Sequence, residues 1–169
     1  MRVAAEQGLE AVSLRHVAAE AGVSAGMVQH YFRTKDEMMT FALDVVRDRS
    51  EARVNAAVRA LGPDPGPRPL LRALLTSLLP LDEESRADGR VALAFLAYTA
   101  VRPATAPALR EGTAQMVAFI GSLLPGGNET GAAGLLALME GLGVYLLGGQ
   151  YTGEQALAAL DAQLDLLFR

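Results

Sequence analysis

The chain has 169 residues, which suffices for one full hydrophobic core or for a small head that shares a helix with a larger body. Hydrophobic residues make up 51% of the chain, and its formal net charge of −4 provides no general attraction to nucleic acid. Because the chain contains no cysteine, disulfides, thiolate catalysis and cysteine-based metal sites are excluded, and a reducing cytoplasm is a compatible location.

Two further features favour a soluble, cytoplasmic protein with no membrane partner. No signal-peptide pattern opens the chain, and the longest apolar run with one charge, residues 135–147, is too short to span a bilayer. Residues 1–35 carry four Lys or Arg and three Glu, so this part is only less acidic than the remainder. A prediction of DNA binding therefore depends on a motif and not on charge.

The N-terminal part contains several helix boundaries. Residues 1–7 have the pattern of the end of a helix, which Gly8 stops. Ser13, Ser24 and Thr34 each stand just before a helical pattern, where a side-chain hydroxyl can accept a hydrogen bond from an unpaired backbone N–H. Thr34 also opens a capping box with Glu37. These starts predict helices over 14–21, 25–32 and 36–61.

The two short helices have the spacing of a helix-turn-helix. Gly22 can adopt the left-handed conformation of a tight turn between them, and Ala18 is small enough for the second helix to cross closely over the first. The alternative is two amphipathic helices of an ordinary bundle that share a glycine turn. The predicted inner face consists of Val17, Ala21, Val23, Val28 and Tyr31.

The segment AAEQGLEAVSLRHVAAEAGVSAGMVQHYFRTKDEM resembles the N-terminal domain of TetR/AcrR-type transcriptional regulators, whose hallmark is a run similar to G-V-S-x-G-x-x-Y-x-Y-F-x-S-K-E-x-L. Here the run is GVSAGMVQHYFRTKDEM, and it departs at Ala25, often Lys in the family, at Met27, often Thr, and at Gln29, often an aromatic residue. These positions face the DNA groove, so the departures affect the operator sequence and leave the fold intact. Relatives carry a basic arm and most of a first helix before this point, so we expect the chain to begin partway into that helix.

The resemblance implies how this domain meets DNA. Arg15 matches a position that can reach a base edge, while Gln29 and His30 would point from the second, recognition helix into the major groove. The end of that helix would supply a phenol, a hydroxyl and an ammonium group to phosphates, from Tyr31, Thr34 and Lys35. The complete predicted DNA-binding set is Arg15, His16, Ser24, Ala25, Gly26, Met27, Gln29, His30, Tyr31, Thr34 and Lys35.

The remainder of the chain is predicted to consist of helices joined by short loops. The charged run RDRSEAR, residues 47–53, is typical of a solvated face and also of a helix that joins head to body. GPDPGPRP, residues 62–69, is predicted to be a loop, because proline lacks a backbone donor and glycine is flexible. No two-residue alternation indicates a strand, so we predict an all-α fold. We place body helices at 70–79, 85–101, 106–124, 131–147 and 153–168, and divide the chain into a DNA-binding domain, 1–47, and a ligand-binding and dimerisation domain, 48–169.

Three body segments are unusually apolar. Residues 91–101 are apolar on almost every side, which predicts burial at the centre of the body, and residues 131–147 are equally apolar apart from Glu140. The last helix has leucines at three- and four-residue spacing, typical either of internal packing or of a subunit interface; they are Leu157, Leu160, Leu164 and Leu167. In TetR-like proteins the last two helices form a four-helix dimer interface, and the body resembles BetI-like regulators. The resemblance therefore favours the homodimer interpretation.

The sequence contains no constellation typical of an enzyme or a resident cofactor. The only histidines, His16 and His30, lie in the helix-turn-helix, and no zinc-protease helix, nucleophile elbow or Walker loop occurs. Glu140 is predicted to be a buried charge that is paired within the fold, spans a subunit interface or faces a cationic ligand. The candidate pocket residues, for which core packing is the alternative, are Phe95, Tyr98, Thr99, Gln115, Met116, Phe119, Met139, Glu140 and Tyr145.

These patterns, together with the resemblance, predict a homodimeric transcriptional regulator. We expect a repressor that is released from double-stranded operator DNA by a small, largely apolar effector. Effector binding would move the 36–61 helix and thereby the spacing of the two recognition helices. The alternative is a ligand-binding or protein-interaction dimer that kept the helix-turn-helix scaffold without affinity for DNA.

Overall fold

The computed structural model describes residues 13–100 and 107–169, which form eight α-helices and a short 3-10 turn at Pro125–Gly127. No strand occurs in these residues, and the all-α prediction is confirmed. The predicted helix end at residues 1–7 and its stop at Gly8 lie outside the described part. The helices are α1 (Leu14–Glu20), α2 (Ala25–Tyr31), α3 (Lys35–Ala60), α4 (Pro67–Leu78), α5 (Glu83–Ala100), α6 (Pro107–Leu123), α7 (Glu129–Leu147) and α8 (Gly153–Leu167).

Local capping determines where the three N-terminal helices begin. The hydroxyls of Ser13, Ser24 and Thr34 each accept a hydrogen bond of 3.1 Å from the backbone N–H three residues later. Gly22, between α1 and α2, has φ +67°, a conformation that would strain a residue with a side chain. These observations confirm the predicted caps and turn.

The helix-turn-helix core is smaller than predicted. Ala18 and Val28 are buried where α1 and α2 cross, and Val17 is half-buried. Ala21, Val23 and Tyr31 are exposed, so the predicted inner face was wrong at three of its five positions. These three lie outside the head cluster, which we define as the buried side chains of Ala18, Val28, Met38, Met39, Val46 and Val91. That cluster is completed from outside the motif, by Met38, Met39 and Val46 of α3 and Val91 of α5. Those side chains pack with Ala18 and Val28, so α3 and α5 supply most of the buried residues of the head cluster.

The loop predicted at residues 62–69 is shorter in the structure. Pro67 and Pro69 lie in the first turn of α4, which begins at Pro67 and not at Leu70. The first turn of a helix has no intrahelical acceptor for its N–H groups, so the missing proline donors cost nothing there. Proline therefore starts this helix, where the sequence prediction had taken it to exclude one.

Helix α3 connects the head to the body without a break. It is 26 residues long, contributes Val46 to the head cluster and packs Val54 against the body core. The predicted domain boundary at residue 47 thus falls inside a continuous helix. The body core consists of leucines of α4, α7 and α8 together with Ile120 of α6.

The apolar sequence of residues 91–101 predicted a helix at the centre of the body. Helix α5, which contains residues 91–100, does not lie there. Only Val91 and Thr99 are buried within residues 91–100, while Ala97 and Ala100 are exposed. The apolar residues are instead divided between a contact with the head and the wall of a cavity. An apolar helix can therefore lie half-open where it borders a pocket.

Helix α7 has two faces with different surroundings. Leu135, Leu142 and Leu146 are buried in the body core, whereas Glu140 is exposed on another side of the helix. The prediction that Glu140 is a buried charge was wrong, because it does not lie on the core-facing side.

By length and composition α7 could cross a membrane, since it begins six residues before the apolar run that looked too short. One such helix is weak evidence, because core helices of soluble proteins pass the same test.

The leucine stripe of α8 faces the protein's own core. Leu160 and Leu164 are fully buried, and Leu157 and Leu167 pack against the same cluster. The prediction that this stripe forms a subunit seam is corrected by this packing against α4 and α7. Thr152 begins α8 with a capping box in which the Gln155 side chain accepts from the Thr152 N–H, a signal that the sequence analysis missed.

Candidate nucleic-acid interface and effector cavity

One side of the helix-turn-helix is open to solvent. On α2, Met27 is 53% exposed and Tyr31 is 74% exposed, and the rings of His30 and Tyr31 meet edge to face with centroids 5.4 Å apart. Such large side chains at the surface of a recognition helix are available to contact base edges. The predicted DNA-binding residues that are exposed are Arg15, His16, Ser24, Gly26, Met27, Gln29, His30, Tyr31 and Thr34, and those that are half-buried are Ala25 and Lys35.

The segment between α2 and α3 brings polar groups to the same side. The Thr34 hydroxyl accepts from the Glu37 N–H, and the Glu37 carboxylate accepts from the Arg33 N–H at 2.7 Å. Lys35, the only lysine of the chain, is the first residue of α3. The turn is held from behind by Phe32, whose ring lies 5.4 Å from that of another α3 residue, Phe41. These contacts connect the segment between α2 and α3 to the first turns of α3.

A cavity of about 460 Å³ lies in the body between α3, α4, α5 and α7. Its walls are mainly apolar, and Met139, Gly141 and Gly143 of α7 contribute to them. This volume is in the range of small-molecule sites, about 300–1,000 Å³. The larger apolar side chains of the wall are Val46, Leu78, Leu93, Leu96 and Leu147.

An ion-pair cluster around the buried carboxylate of Asp88 lies at the polar end of the cavity. Asp88 of α5 is only 1% exposed and accepts hydrogen bonds from two arginines of α3. Arg49 Nη1 donates to its Oδ1 at 3.2 Å, and Arg53 Nη1 donates to its Oδ2 at 2.9 Å. Arg53 Nη2 also donates to the Ser50 hydroxyl at 3.0 Å. Arg53, Asp88 and Ser50 line the cavity, so this cluster joins the cavity wall to the helix that begins in the head.

The structure does not bring the nine predicted pocket residues together. Only Met139 and Glu140 line the cavity. Phe95 and Tyr98 pack against the head cluster instead, and the Thr99 hydroxyl donates to backbone carbonyls of its own helix. The remaining four lie elsewhere, with Met116 against the body core, Gln115 and Phe119 exposed on α6, and Tyr145 beside Tyr151.

Sequence reasoning missed the arginine–aspartate cluster. Asp88 lies in the segment EESRADGR and Arg53 in RDRSEAR, and both segments look like solvated charged runs. The residues are 35 positions apart, so only the packing of α5 on α3 reveals that they meet. An available signal was the step from this charged segment into the apolar run that follows Asp88.

Opposite faces of α5 contact the cavity and the head. Ala92, Leu93 and Leu96 line the cavity. Ala94 and Phe95 pack against the head cluster, and the Tyr98 hydroxyl donates to Asp36 in the first turn of α3 at 3.3 Å. Helix α5 therefore contacts both the cavity and the helix-turn-helix head directly.

Two family models match the chain. Residues 1–40 match the model described as bacterial regulatory proteins, tetR family, and residues 67–169 match the C-terminal model of the BetI-type transcriptional repressor. Together the two models include the helix-turn-helix and all body helices from α4 onward.

Individual relatives extend over most of the chain. The HTH-type transcriptional regulator PksA of Bacillus subtilis is 31% identical over 155 residues, covering 86% of this chain and 74% of that protein. The HTH-type transcriptional regulator BetI of Burkholderia thailandensis is 31% identical over 170 residues, covering 96% of this chain and 86% of that protein. A crystal structure of a transcriptional regulator from Rhodococcus sp. Rha1 superposes with a TM-score of 0.85 at 38% identity, covering 98% of this chain and 90% of that one.

Proposed function

The chain belongs to the TetR family of bacterial regulatory proteins and is a DNA-binding transcriptional regulator, and from this premise we propose that it is a homodimeric repressor released from its operator by a small molecule. The observation that carries the proposal is the double contact of α5, which lines the cavity with one face and packs on the head with another. Family membership disfavours the alternative of a dimer without affinity for DNA.

The exposed side of α2 would provide the DNA contacts. Gln29 and His30 enter the major groove, and Arg15 reaches a base edge from α1. Tyr31 and Lys35 meet phosphates, which fix the position of the head on the duplex without reading sequence. Because the target is DNA, we infer that the protein works in the cytoplasm.

Exposed apolar faces on α7 and α8 support the homodimer. On α7, Val144 is 42% and Tyr145 46% exposed, and on α8 Leu166 is 55% exposed beside exposed Ala158 and Ala162. Exposed apolar side chains on two helices that contact each other are the kind of surface that a subunit interface would cover, which supports the proposal. A two-fold pair of heads would then place two recognition helices about 34–36 Å apart, in successive major grooves.

The effector would act through the cavity wall. A ligand that contacts Ala92 and Leu96 shifts α5, and α5 holds α3 through Asp88 and through the head cluster. A ligand shifts the equilibrium between the DNA-bound and released conformations only if its affinity for the two differs. Because the cavity is lined by both α3 and α5, a change in their relative position would change its shape and therefore its affinity for the ligand. Release from DNA then follows from a changed distance between the two heads.

A gel-shift titration tests this proposal. The DNA that flanks the gene is titrated with the protein, with and without a library of small apolar and amphipathic compounds. Ala92→Phe should fill part of the cavity and leave less room for a ligand. We expect this variant to bind the operator with an affinity within about threefold of the wild type. A compound that releases the wild type from DNA should no longer release the variant.

Ala97→Phe is the matched control, because Ala97 is exposed on the same helix and does not line the cavity. It should respond to the compound as the wild type does. A normal response of Ala92→Phe would contradict the assignment of this cavity, and failure of the wild type to bind any flanking DNA would contradict the choice of operator.

A further inference from the structure

We propose that the effector is an amphipathic molecule whose apolar body ends in an oxygen acceptor, a carbonyl or carboxylate group, and that Arg53 binds this oxygen at the polar end of the cavity. The inference rests on the proposed function, which makes the cavity the effector site. It adds the chemical class of the effector and the residue that recognises it.

The first observation is a donor without an acceptor. The Arg53 guanidinium uses Nη1 for Asp88 and Nη2 for Ser50, at 2.9 Å and 3.0 Å. Its Nε is buried and has no hydrogen-bond partner among the described residues. A guanidinium has donors only, and a buried donor that lacks an acceptor raises the free energy of the folded state. An oxygen toward which this guanidinium can turn would therefore be bound favourably.

The second observation is that the nearby acceptors are already used. Two guanidiniums, those of Arg49 and Arg53, face the single carboxylate of Asp88, and both oxygens of that carboxylate already accept a hydrogen bond. The Ser85 hydroxyl, also in the wall, is occupied by Asp82 at 2.9 Å. Arg53 is the only cation among the residues that line the cavity, and both oxygens of its partner Asp88 are used, so the Nε of Arg53 is the group of this cluster that still lacks a hydrogen-bond partner among the described residues.

The remaining wall determines the rest of the molecule. Leu93, Leu96 and Leu147 offer no hydrogen bond to a ligand, so the part that lies against them must be apolar. The other carboxylate in the wall, Glu140, is on the exposed part of α7 and remains solvated. An apolar chain or ring with one acceptor at its inner end therefore matches the leucines of the wall and the unpartnered Nε of Arg53.

Arg53 also explains how binding would be communicated. Its Nε lies beneath the cavity surface, so the guanidinium must turn toward a ligand oxygen in order to donate to it. That turn competes with the 2.9 Å hydrogen bond to Asp88, which holds α3 to α5. Recognition of the oxygen and loosening of the joint between α3 and α5 are then the same event.

Isothermal titration calorimetry on the full chain with three probes of equal apolar length tests the inference. The probes are octanoate, octanamide and octyltrimethylammonium, which present an anion, a neutral carbonyl and a cation. We expect octanoate and octanamide each to bind the wild type at least about tenfold more tightly than the cation, the ratio that one hydrogen bond to a charged donor supplies. Tighter binding of octanoate than of octanamide would identify the anion as the preferred form, and the reverse order would identify the neutral carbonyl.

Arg53→Lys keeps a positive charge beside Asp88 and removes Nε together with the Nη1 and Nη2 donors to Asp88 and Ser50. It should weaken octanoate and octanamide about tenfold and leave octyltrimethylammonium unchanged. Arg49→Lys is the matched control, since Arg49 pairs with the same carboxylate and does not line the cavity, and it should change each probe less than about twofold. If Arg53→Lys does not fold, the order of the three probes on the wild type decides.

Three results would overturn the inference. They are tightest binding by the cation, equal losses in Arg53→Lys and Arg49→Lys, and no binding of either oxygen probe at millimolar concentration. In the first case Ala92→Phe would still abolish binding of the cation, so the cavity would remain the effector site with a different ligand class. The failure of this inference is thereby separated from failure of the proposed function.

Discussion

Asp88 illustrates what a buried charge requires of its neighbours. Its side chain is 2% exposed, and a carboxylate at such a place is stable only when paired and hydrogen-bonded. Arg49 and Arg53 are four residues apart on α3, so they point to the same side on successive turns and reach one oxygen each. The consequence is that α3 and α5 are held together by a few hydrogen bonds at Asp88 in addition to the apolar packing of Val46 and Val91.

Arg15 should contribute directly to sequence recognition. We expect Arg15→Ala to weaken binding to the cognate operator by about 1–3 kcal/mol and binding to random DNA much less, because base contacts specify and phosphate contacts only position. Fluorescence anisotropy on both duplexes at one salt concentration measures the ratio.

Lys35→Ala is the comparison for Arg15. It should weaken both duplexes about equally and lower the salt slope by roughly one unit, as loss of one phosphate contact does. If Arg15→Ala behaves in the same way, Arg15 touches phosphate and the base contact is elsewhere.

At the scale of elements, α4 and α8 are joined by two ion pairs along one side. Arg72 donates twice to Asp161, at 2.6 Å and 2.9 Å, and Arg68 Nε donates to Asp165 at 3.0 Å. The hydrogen bonds from Arg72 lower the pKa of Asp161 and raise the pKa of Arg72. The helix that carries the leucine stripe is thus held both by its buried face and at its edge.

This pair predicts a dependence of stability on pH. Because the pKa of Asp161 in the folded protein lies below its ordinary value of 3.8, the carboxylate stabilises the fold fully above about pH 5, and this contribution is lost as the pH falls through the lowered value. Urea unfolding of the wild type and of Asp161→Asn should differ by about 1 kcal/mol or less at pH 7 and converge at acid pH.

Asp165→Asn is the control for that measurement, because the Asp165 side chain is 59% exposed and its pair with Arg68 is more solvated. Its difference from the wild type should be smaller than that of Asp161→Asn at pH 7. A difference for Asp161→Asn that grows toward acid pH would contradict the assigned direction of the shift.

The helices themselves could be predicted because their signals are local. Hydroxyl caps at Ser13, Ser24 and Thr34 and a left-handed glycine at position 22 act within four residues, and the structure has them where the sequence indicated. The partner of each apolar face was not available from the pattern. The stripe through Leu160 and Leu164 has the same spacing whether it meets its own body or a second subunit, so periodicity alone could not assign it.

For the whole molecule, the proposed regulation would act where α3 and α5 meet. The head cluster receives side chains from α3 and α5, and the body core receives them from α4, α6, α7 and α8, so α3 and α5 are the elements in between. The cavity is formed by the gap that these two leave against α4 and α7. Its position could not be predicted, because it depends on distances between helices and not on any local pattern.

The dimer proposal leads to a prediction about exposed positions of α8. Ala162→Glu combined with Leu166→Glu should convert the dimer into monomer in sedimentation velocity, since charges without partners at an interface cost several kcal/mol, while the fold of each subunit is kept. Leu160→Ala should do the opposite, losing about 2–5 kcal/mol of unfolding free energy through a core cavity without changing the interface surface. A double mutant that remains a dimer with wild-type affinity would place the interface on another surface.

The unbroken helix α3 limits how this protein can be recombined with its relatives. A single 26-residue helix determines the orientation of the head relative to the body. Each residue inserted into this helix between them would turn the head by about 100° and move it by about 1.5 Å. A chimera with a foreign head therefore works only when its junction conserves residue number, even if both halves fold. Insertion of seven residues would almost restore the orientation while displacing the head by roughly 10 Å, which makes the pair of one- and seven-residue insertions a means of separating angle from distance in operator recognition.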